Sequence, residues 1–523
     1  MVHPKRLKDL NKEPRAPGLY VLYWMQQSQR ASWNHALEYA IQRGNEVGLP
    51  VLAYFGLTSC FPEANERHYA FMLEGLEETA RALAQRGIRL VVLKEKSPLR
   101  RAENGRAAKA PARNRTDAGA PAEAPSWGPE AGAVALAGSA ALAVVDRGYL
   151  RIQRVWRERA AAAIGCPLVQ VESDVVVPVE TASPKEEYAA STFRPKIGRL
   201  LPEFLTPLDE REPQKSSLGI DVAGILKGKE ARVSLSKLAR LAERSRPGSA
   251  GASRAAPGFE LVDLGGRSIE DLLAGLDIDR SVKRVGWIRG GASEAKKHLG
   301  EFINNRLDRF ADLRNDPSLD CLSNMSPYLH FGQVSPLEVA LAAHEADSPG
   351  TDSFLEELVV RRELSMNFAF YNPRYDTFEC LPAWALKTLK GHEVDRREHL
   401  YSRAELEHAR THDPYWNAAQ REMVVRGKMH GYMRMYWGKK ILEWSGTPEE
   451  AHARALALNN KYFIDGRDPN GFTGVAWCFG KHDRPWAERP VFGIVRYMNA
   501  KGLERKFDIA AYVEKIKRLG GTS

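Results

Sequence analysis

Apolar positions in the first 180 residues alternate between two periods. Tyr20–Met25 (YVLYWM) is an unbroken apolar run of strand length, Trp33–Gly48 supplies a helical stretch, and Val51–Leu57 is a second such run. Tyr69, Met72, Leu73, Leu76, Ala80 and Leu83 then recur at helical spacing ahead of a third strand at Ile88–Leu93. The pattern resumes with strands at Ala141–Asp146 and Pro167–Ser173 on either side of a helix over 152–163. Strands alternating with helices predict a parallel sheet covered by helices, a doubly wound, Rossmann-like α/β domain over residues 18–180.

Two stretches break the pattern. Residues 96–138 are rich in Ala, Pro, Arg and Gly without periodicity and read as a disordered or loosely ordered insertion. RSRPGSAGASRAAPG (244–258) reads as flexible and closes an interdomain linker over 181–258. Beyond it almost every segment has helical spacing, which predicts an all-helical second domain over 259–523. Neither G-x-x-x-x-G-K-[ST] nor G-x-G-x-x-G is present, so the α/β domain does not read as an NTPase or a dehydrogenase.

Composition narrows the picture further. A chain of 523 residues exceeds what one core usually organises, and 43% apolar with 9% aromatic residues is too much for a mainly disordered one. The 76 basic and 66 acidic residues leave a net +10, which suits a polyanionic partner. Cys60, Cys166, Cys321, Cys380 and Cys478 lie far apart with no C-x-x-C, so neither a disulfide framework nor a zinc ribbon is expected, and no metal site. The charged N-terminus lacks an apolar core, and no run of about 18 apolar residues occurs. The expected protein is a cytoplasmic monomer, nucleoid-associated in a bacterial host, with no membrane role. H-E-x-x-H, G-x-S-x-G and paired glycosidase carboxylates are absent.

Candidate chemistry concentrates in His412–Trp444, where Trp416, Trp437 and Trp444 stand among Arg426, Lys428, Arg434, Lys439 and Lys440. Trp437 and Trp444 are seven residues apart, which on a helix puts them on one face about 10 Å apart along the axis. Further motifs follow a fixed order: WNHALEYA (33–40), ERHYAFMLEGL (66–76), LSNMSPYLHFGQVSP (322–336), EELVVRREL (356–364) and LNNKYFIDGRDPNGF (458–472). Together these segments resemble class II cyclobutane pyrimidine dimer photolyases, of the photolyase/cryptochrome family, over nearly the whole chain except the two biased stretches.

The resemblance implies FAD in the helical domain and light-driven repair of cyclobutane pyrimidine dimers in double-stranded DNA by electron transfer to a flipped-out lesion. It makes Leu322, Ser323, Asn324, Met325 and Ser326 the cofactor cradle, although SNMSP also reads as a helix start. Arg434 and Asp465 match the ion pair beside the isoalloxazine, Asn459 the amide near its N5 with Asn460 adjacent, and Asp483 a further flavin contact. Glu357 matches the lesion-binding glutamate, Met435 and Trp477 the pocket walls, and Arg314 and Arg484 the flanking phosphate contacts. An i, i+4 pair with Arg361 is the plainer role for Glu357. Trp437, Trp416 and Trp444, in that order, match a relay that reduces the flavin, which Tyr401 could extend. His330 falls in a structural turn. An antenna chromophore, deazaflavin or folate, is left undecided. The alternatives are a cryptochrome-like blue-light photoreceptor, often with a long C-terminal tail where about a dozen residues follow Ile509 here, and a flavin-free nucleic-acid-binding module.

Overall fold

The computed structural model describes residues 1–96, 127–244 and 257–520. Seven strands, β1 (Leu7–Asp9), β2 (Tyr20–Met25), β3 (Val51–Leu57), β4 (Arg89–Glu95), β5 (Ala140–Asp146), β6 (Leu168–Val171) and β7 (Phe259–Leu261), form one sheet in the order β1-β6-β5-β2-β3-β4-β7. The inner five run parallel, and the two edge strands pair antiparallel. Every residue of β2, β3 and β5 is buried, which is why they read as continuous apolar runs. Alternation then sorts them. Val21, Tyr23 and Met25 face the helices His35–Val47 and Glu66–Gln85, and Tyr20, Leu22 and Trp24 face Pro129–Ala137, Arg151–Ala163 and Lys229–Arg244. This is the expected doubly wound α/β layer, and the rest of the chain is mainly helical.

Several boundaries differ from the sequence reading. The stretch expected as a loose insertion is helical and buried over Pro129–Ala137. Its small residues are packing residues: a Cβ on Gly132 would lie 2.1 Å from the Tyr54 hydroxyl, so only glycine admits this approach to β3. Residues 97–126 and 245–256, which hold the remainder of both biased stretches, lie outside the described residues. The expected linker is largely helix. Ala190–Phe204 buries Phe193, Ile197 and Phe204 in the helical core, and Lys229–Arg244 covers the sheet. β1 and β7 lie outside the expected α/β limits, and Leu264, Ile269, Leu272 and Leu273 still pack with the sheet. Three-residue edge strands carry no readable period.

The C-terminal ends of the strands are tied to the helical domain by buried polar groups. Arg30 donates to Asp174 at 2.7 Å, to the Ser173 carbonyl at 3.0 Å and to the Gly332 carbonyl of the helical domain at 3.0 Å. Glu363 accepts the Val176 and Val177 amides at 2.5 and 3.1 Å, and burial pushes its carboxyl up to about 8. Among the described residues no helix is long and apolar enough to cross a membrane.

Candidate functional site

Two consecutive helices assemble the tryptophans. Asp413 caps Pro414–Arg426 by accepting the Tyr415 and Trp416 amides at 2.9 Å, and Gly427 ends that helix at φ +65°. His430 caps the next, Gly431–Glu443, by accepting the Tyr432 amide at 3.2 Å. The Trp416 indole N–H reaches the Trp437 carbonyl at 3.0 Å, and that of Trp437 donates to Gln420 Oε1 at 2.8 Å. The Trp416 and Trp444 rings stand 5.6 Å apart, centre to centre, at 66°. Trp444 lies just past the helix end, so its link to Trp437 runs through Trp416 of the neighbouring helix, not along one face. All three are at most 2% exposed.

One turn N-terminal to Trp437, Arg434 lies 3.8 Å from the Phe463 ring centre and 3.6 Å from Asp465 Oδ1. That is an ion-pair distance, wider than a hydrogen bond. Asp465 sits in the turn after helix Pro448–Tyr462, where a Cβ on Gly466 would meet three backbone carbonyl oxygens at 2.8–2.9 Å. The paired asparagines separate. Asn460 donates to Glu63 at 2.6 Å and accepts the Arg467 amide at 3.2 Å, a structural commitment to the α/β domain. Asn459 donates to Asn460 at 3.0 Å, and its amide is the nearest atom to a Cβ built on Gly471.

Leu322, Ser323, Asn324 and Met325 form a non-helical lead into Ser326–His330. Asn324 adopts φ +58°, a conformation asparagine tolerates, and its side chain accepts from Lys428 in the turn before the Arg434 helix. Lys428 reads from the sequence only as one of the cations around the tryptophans, not as a partner of Asn324. Burial lowers its ammonium to about 8, and its position beside the 322–326 segment becomes visible only when two regions a hundred residues apart meet.

Glu357 lies in a π-helical turn, Glu356–Arg361, where the Arg362 N–H reaches back five residues to the Glu357 carbonyl. Such one-turn insertions recur at functional sites. Arg314 donates to Glu357 at 2.5 Å and Arg361 stands 3.2 Å away, so both the i, i+4 pair and a second cation hold the carboxylate. Arg314 is therefore Glu357's partner and not a free surface arginine. Arg361 also lies 5.6 Å from the Trp477 ring. Met435, half-buried, borders the core that contains the tryptophans.

Asp483 lies in the segment after helix Pro469–Cys478, and its Oδ2 is buried without a hydrogen-bond partner among the described residues. Its Oδ1 accepts the Arg484 amide at 2.8 Å and the Trp486 indole at 3.3 Å, and among the described residues no hydrogen bond joins it to Arg434, Asp465 or Asn459. Arg484 is exposed and lies 5.2 Å from the Trp486 ring. His330, expected in a turn, is the last residue of helix Ser326–His330; it pairs with Asp468 at 3.1 Å, and Asp468 caps helix Pro469–Cys478.

A second feature escaped the sequence. At the C-terminal ends of β2 and β3 lies a cleft of about 820 Å³, counted to its open mouth, lined by Trp24, Met25, Phe55, Phe61, Trp156 and His330. Its mostly apolar wall suits an organic ring, at the place where open α/β sheets bind ligands.

A DNA photolyase family model matches residues 21–114. The deoxyribodipyrimidine photo-lyase of Methanothermobacter thermautotrophicus is 49% identical over 520 residues, which cover 99% of each chain. The solved class III photolyase from Agrobacterium tumefaciens superposes with a TM-score of 0.62 at 16% identity, covering 96% of this chain and 87% of that one. The archaeal photolyase from Sulfolobus tokodaii, solved with two FAD molecules, superposes at 0.61 with 16% identity over 95% and 89%. The structures share the fold, and near-half identity along the full length of an archaeal relative goes further: the chain belongs to the DNA photolyase family.

Proposed function

We propose that this protein is a deoxyribodipyrimidine photo-lyase of the class II kind, which splits cyclobutane pyrimidine dimers in double-stranded DNA under light and acts as a monomer. The observation that carries the reading is one helical turn. Arg434, Met435 and Trp437 follow each other on Gly431–Glu443 and offer, within four residues, a cation for a cofactor, a wall for a lesion and the first member of a tryptophan series.

The residues present fit FAD. The donor set combines Arg434 and Asp465 at ion-pair distance, the Asn459 amide, and the polar 322–326 segment with Lys428 beside it as a cation for a pyrophosphate. When bound, reduced FAD would supply light-driven electron donation to the cyclobutane ring. Arg434 would hold the group with positive charge and Asn459 with an amide able to donate or accept. Glu357, oriented by Arg314 and Arg361, hydrogen-bonds the flipped dimer, which Trp477 and Met435 enclose away from water. A dimer stacks and pairs weakly, so flipping it costs less than flipping an intact base. We extend the proposal to the cleft at the sheet, as the seat of an antenna chromophore.

The test is a duplex carrying a thymine dimer, incubated with reduced, flavin-loaded protein in light and in darkness. Dimers are expected to disappear only in the light, with (6-4) products untouched, and dimers that survive illumination overturn the reading. Arg484 gives a second check. Duplex affinity should fall by at least tenfold between about 50 and 200 mM salt, and Arg484→Ala should weaken binding on any sequence while reducing the log–log salt slope by about 1. An unchanged slope would remove Arg484 from the phosphate contacts.

A further inference from the structure

Residues 484–490 form a loop that carries Arg484, Trp486 and Arg489, and the Trp486 ring lies 5.2 Å from both Arg484 and Arg496. Every residue of the loop is exposed and burial resumes only at Val491, so apolar packing does little to fix it. Polar groups at the end of helix Ala383–Gly391 hold its returning side instead. The Thr388 hydroxyl accepts the Ile494 amide at 3.1 Å, and Asp395 Oδ2 accepts the Val491 amide at 2.8 Å. A Cβ on Gly493, at φ +51°, would lie 2.0 Å from the Thr388 hydroxyl and 2.8 Å from the His392 ring, so the loop backbone rests directly on these side chains.

His392 ties the exposed side of the loop to the same anchor. Its Nδ1 stands 2.6 Å from Asp395 Oδ2 and its Nε2 stands 2.9 Å from Glu488 Oε1. Ionised carboxylates only accept, so both ring nitrogens must donate and the imidazole carries its second proton. The hydrogen bond to Asp395 raises the His392 pKa above the ordinary histidine value, burial opposes the rise, and the hydrogen bond to Glu488 adds to it. The other charges around the ring are engaged elsewhere. Arg397 donates to the Glu393 and Asp395 carbonyls at 2.8 and 3.0 Å, Lys390 pairs with Glu449 at 3.7 Å, and Arg489 lies 5.3 Å from the Tyr497 ring. Loss of the proton leaves a single N–H between two carboxylates. Asp395 also holds the Val491 amide and is the less exposed partner, 27% against 68% for Glu488, so Glu488 is the one released.

We infer that protonated His392 is a positioning residue that latches the 484–490 loop to the end of helix Ala383–Gly391, presenting Arg484 to the DNA backbone, and that DNA binding loosens when the imidazole gives up its proton. The inference rests on the proposed phosphate contact of Arg484. Because the pKa is raised in the folded protein, the latch is fully closed below the ordinary histidine range and opens as pH rises through the raised value.

Amide exchange across residues 484–495 of the flavin-loaded protein, measured by mass spectrometry, reads the latch without DNA. At about pH 6 wild-type protection factors should exceed those of His392→Gln at least fivefold, and by about pH 9 the two should match. Glu488→Gln alters only an exposed side chain, and its amide accepts from the protonated ring or donates to the neutral one, so its protection should not change with pH. Fluorescence anisotropy of a labelled duplex with a thymine dimer reads the consequence. Between the same pH values wild-type affinity should fall at least threefold more than that of His392→Gln, a difference that an Arg484→Ala background removes. Wild-type protection equal to that of His392→Gln at about pH 6, or a Glu488→Gln loop that still opens with pH, overturns the latch. Protection that follows pH while affinity does not overturns its coupling to DNA, and Arg484→Ala binding as the wild type does would place the failure in the phosphate contact itself.

Discussion

Trp437→Phe is expected to abolish light-driven reduction of bound, oxidised flavin, by at least a hundredfold in rate, while pre-reduced protein repairs dimers within about twofold of the wild type. The reason is positional. Trp437 shares a helical turn with Arg434, and its carbonyl receives the Trp416 indole N–H at 3.0 Å, so it is the first of the three from the proposed cofactor site. Phenylalanine fills most of the space but is far harder to oxidise than indole. It also leaves Gln420 Oε1 without the 2.8 Å bond it accepts from Trp437, at a cost of about 1–3 kcal/mol to stability. That loss lowers the melting temperature and does not touch an electron that the flavin already holds. Stopped-light spectra of flavin reduction and a dimer assay on dithionite-reduced protein separate the two activities. Equal loss of both would reassign Trp437 to packing.

The complementary result is expected at Glu357. Glu357→Gln keeps the shape and one hydrogen-bonding oxygen but removes the charge that Arg314 and Arg361 hold at 2.5 and 3.2 Å. A charge-assisted hydrogen bond contributes about 1.5–3 kcal/mol and a neutral one about 0.5–1.5, so the substitution should lower repair by about tenfold. Flavin photoreduction should stay unchanged, because the π-helical turn belongs to a different element from the tryptophans. Glu357→Ala should cost more, since two neighbouring cations then face each other without a carboxylate between them. The measurement is repair yield per absorbed photon at saturating DNA. Full activity in Glu357→Gln would leave only the contacts with Arg314 and Arg361 as its role.

The strands and helices of the α/β layer are legible because β2, β3 and β5 are buried on both faces, so their apolar runs carry no competing polar signal. The same logic misreads Pro129–Ala137. Alanine and glycine there serve close packing against Tyr54, and composition alone does not distinguish that from low complexity. β1 and β7 are too short for any period, and their pairing is set by the edges they cover.

For the candidate site, residue types and order were readable: three tryptophans, Arg434, Asp465, Glu357 and the 322–326 segment all stand in recognisable motifs. Apart from the Arg434–Asp465 and Glu357–Arg361 pairs, their partners were not. Arg314 and Glu357 are 43 residues apart, Lys428 and Asn324 are 104 apart, and Asn460 reaches Glu63 across 397 residues, which separates it from Asn459. By itself the sequence determined the layered α/β domain, the helical domain and the residues able to do chemistry, because periodicity and side-chain type are local properties. Only the tertiary structure decided which groups meet: that the Trp416 indole donates to the Trp437 carbonyl while its ring stands against that of Trp444, that Arg314 reaches Glu357, and that Lys428 reaches Asn324. Those contacts are made by folding distant segments onto one another, and no local pattern encodes a distance in space.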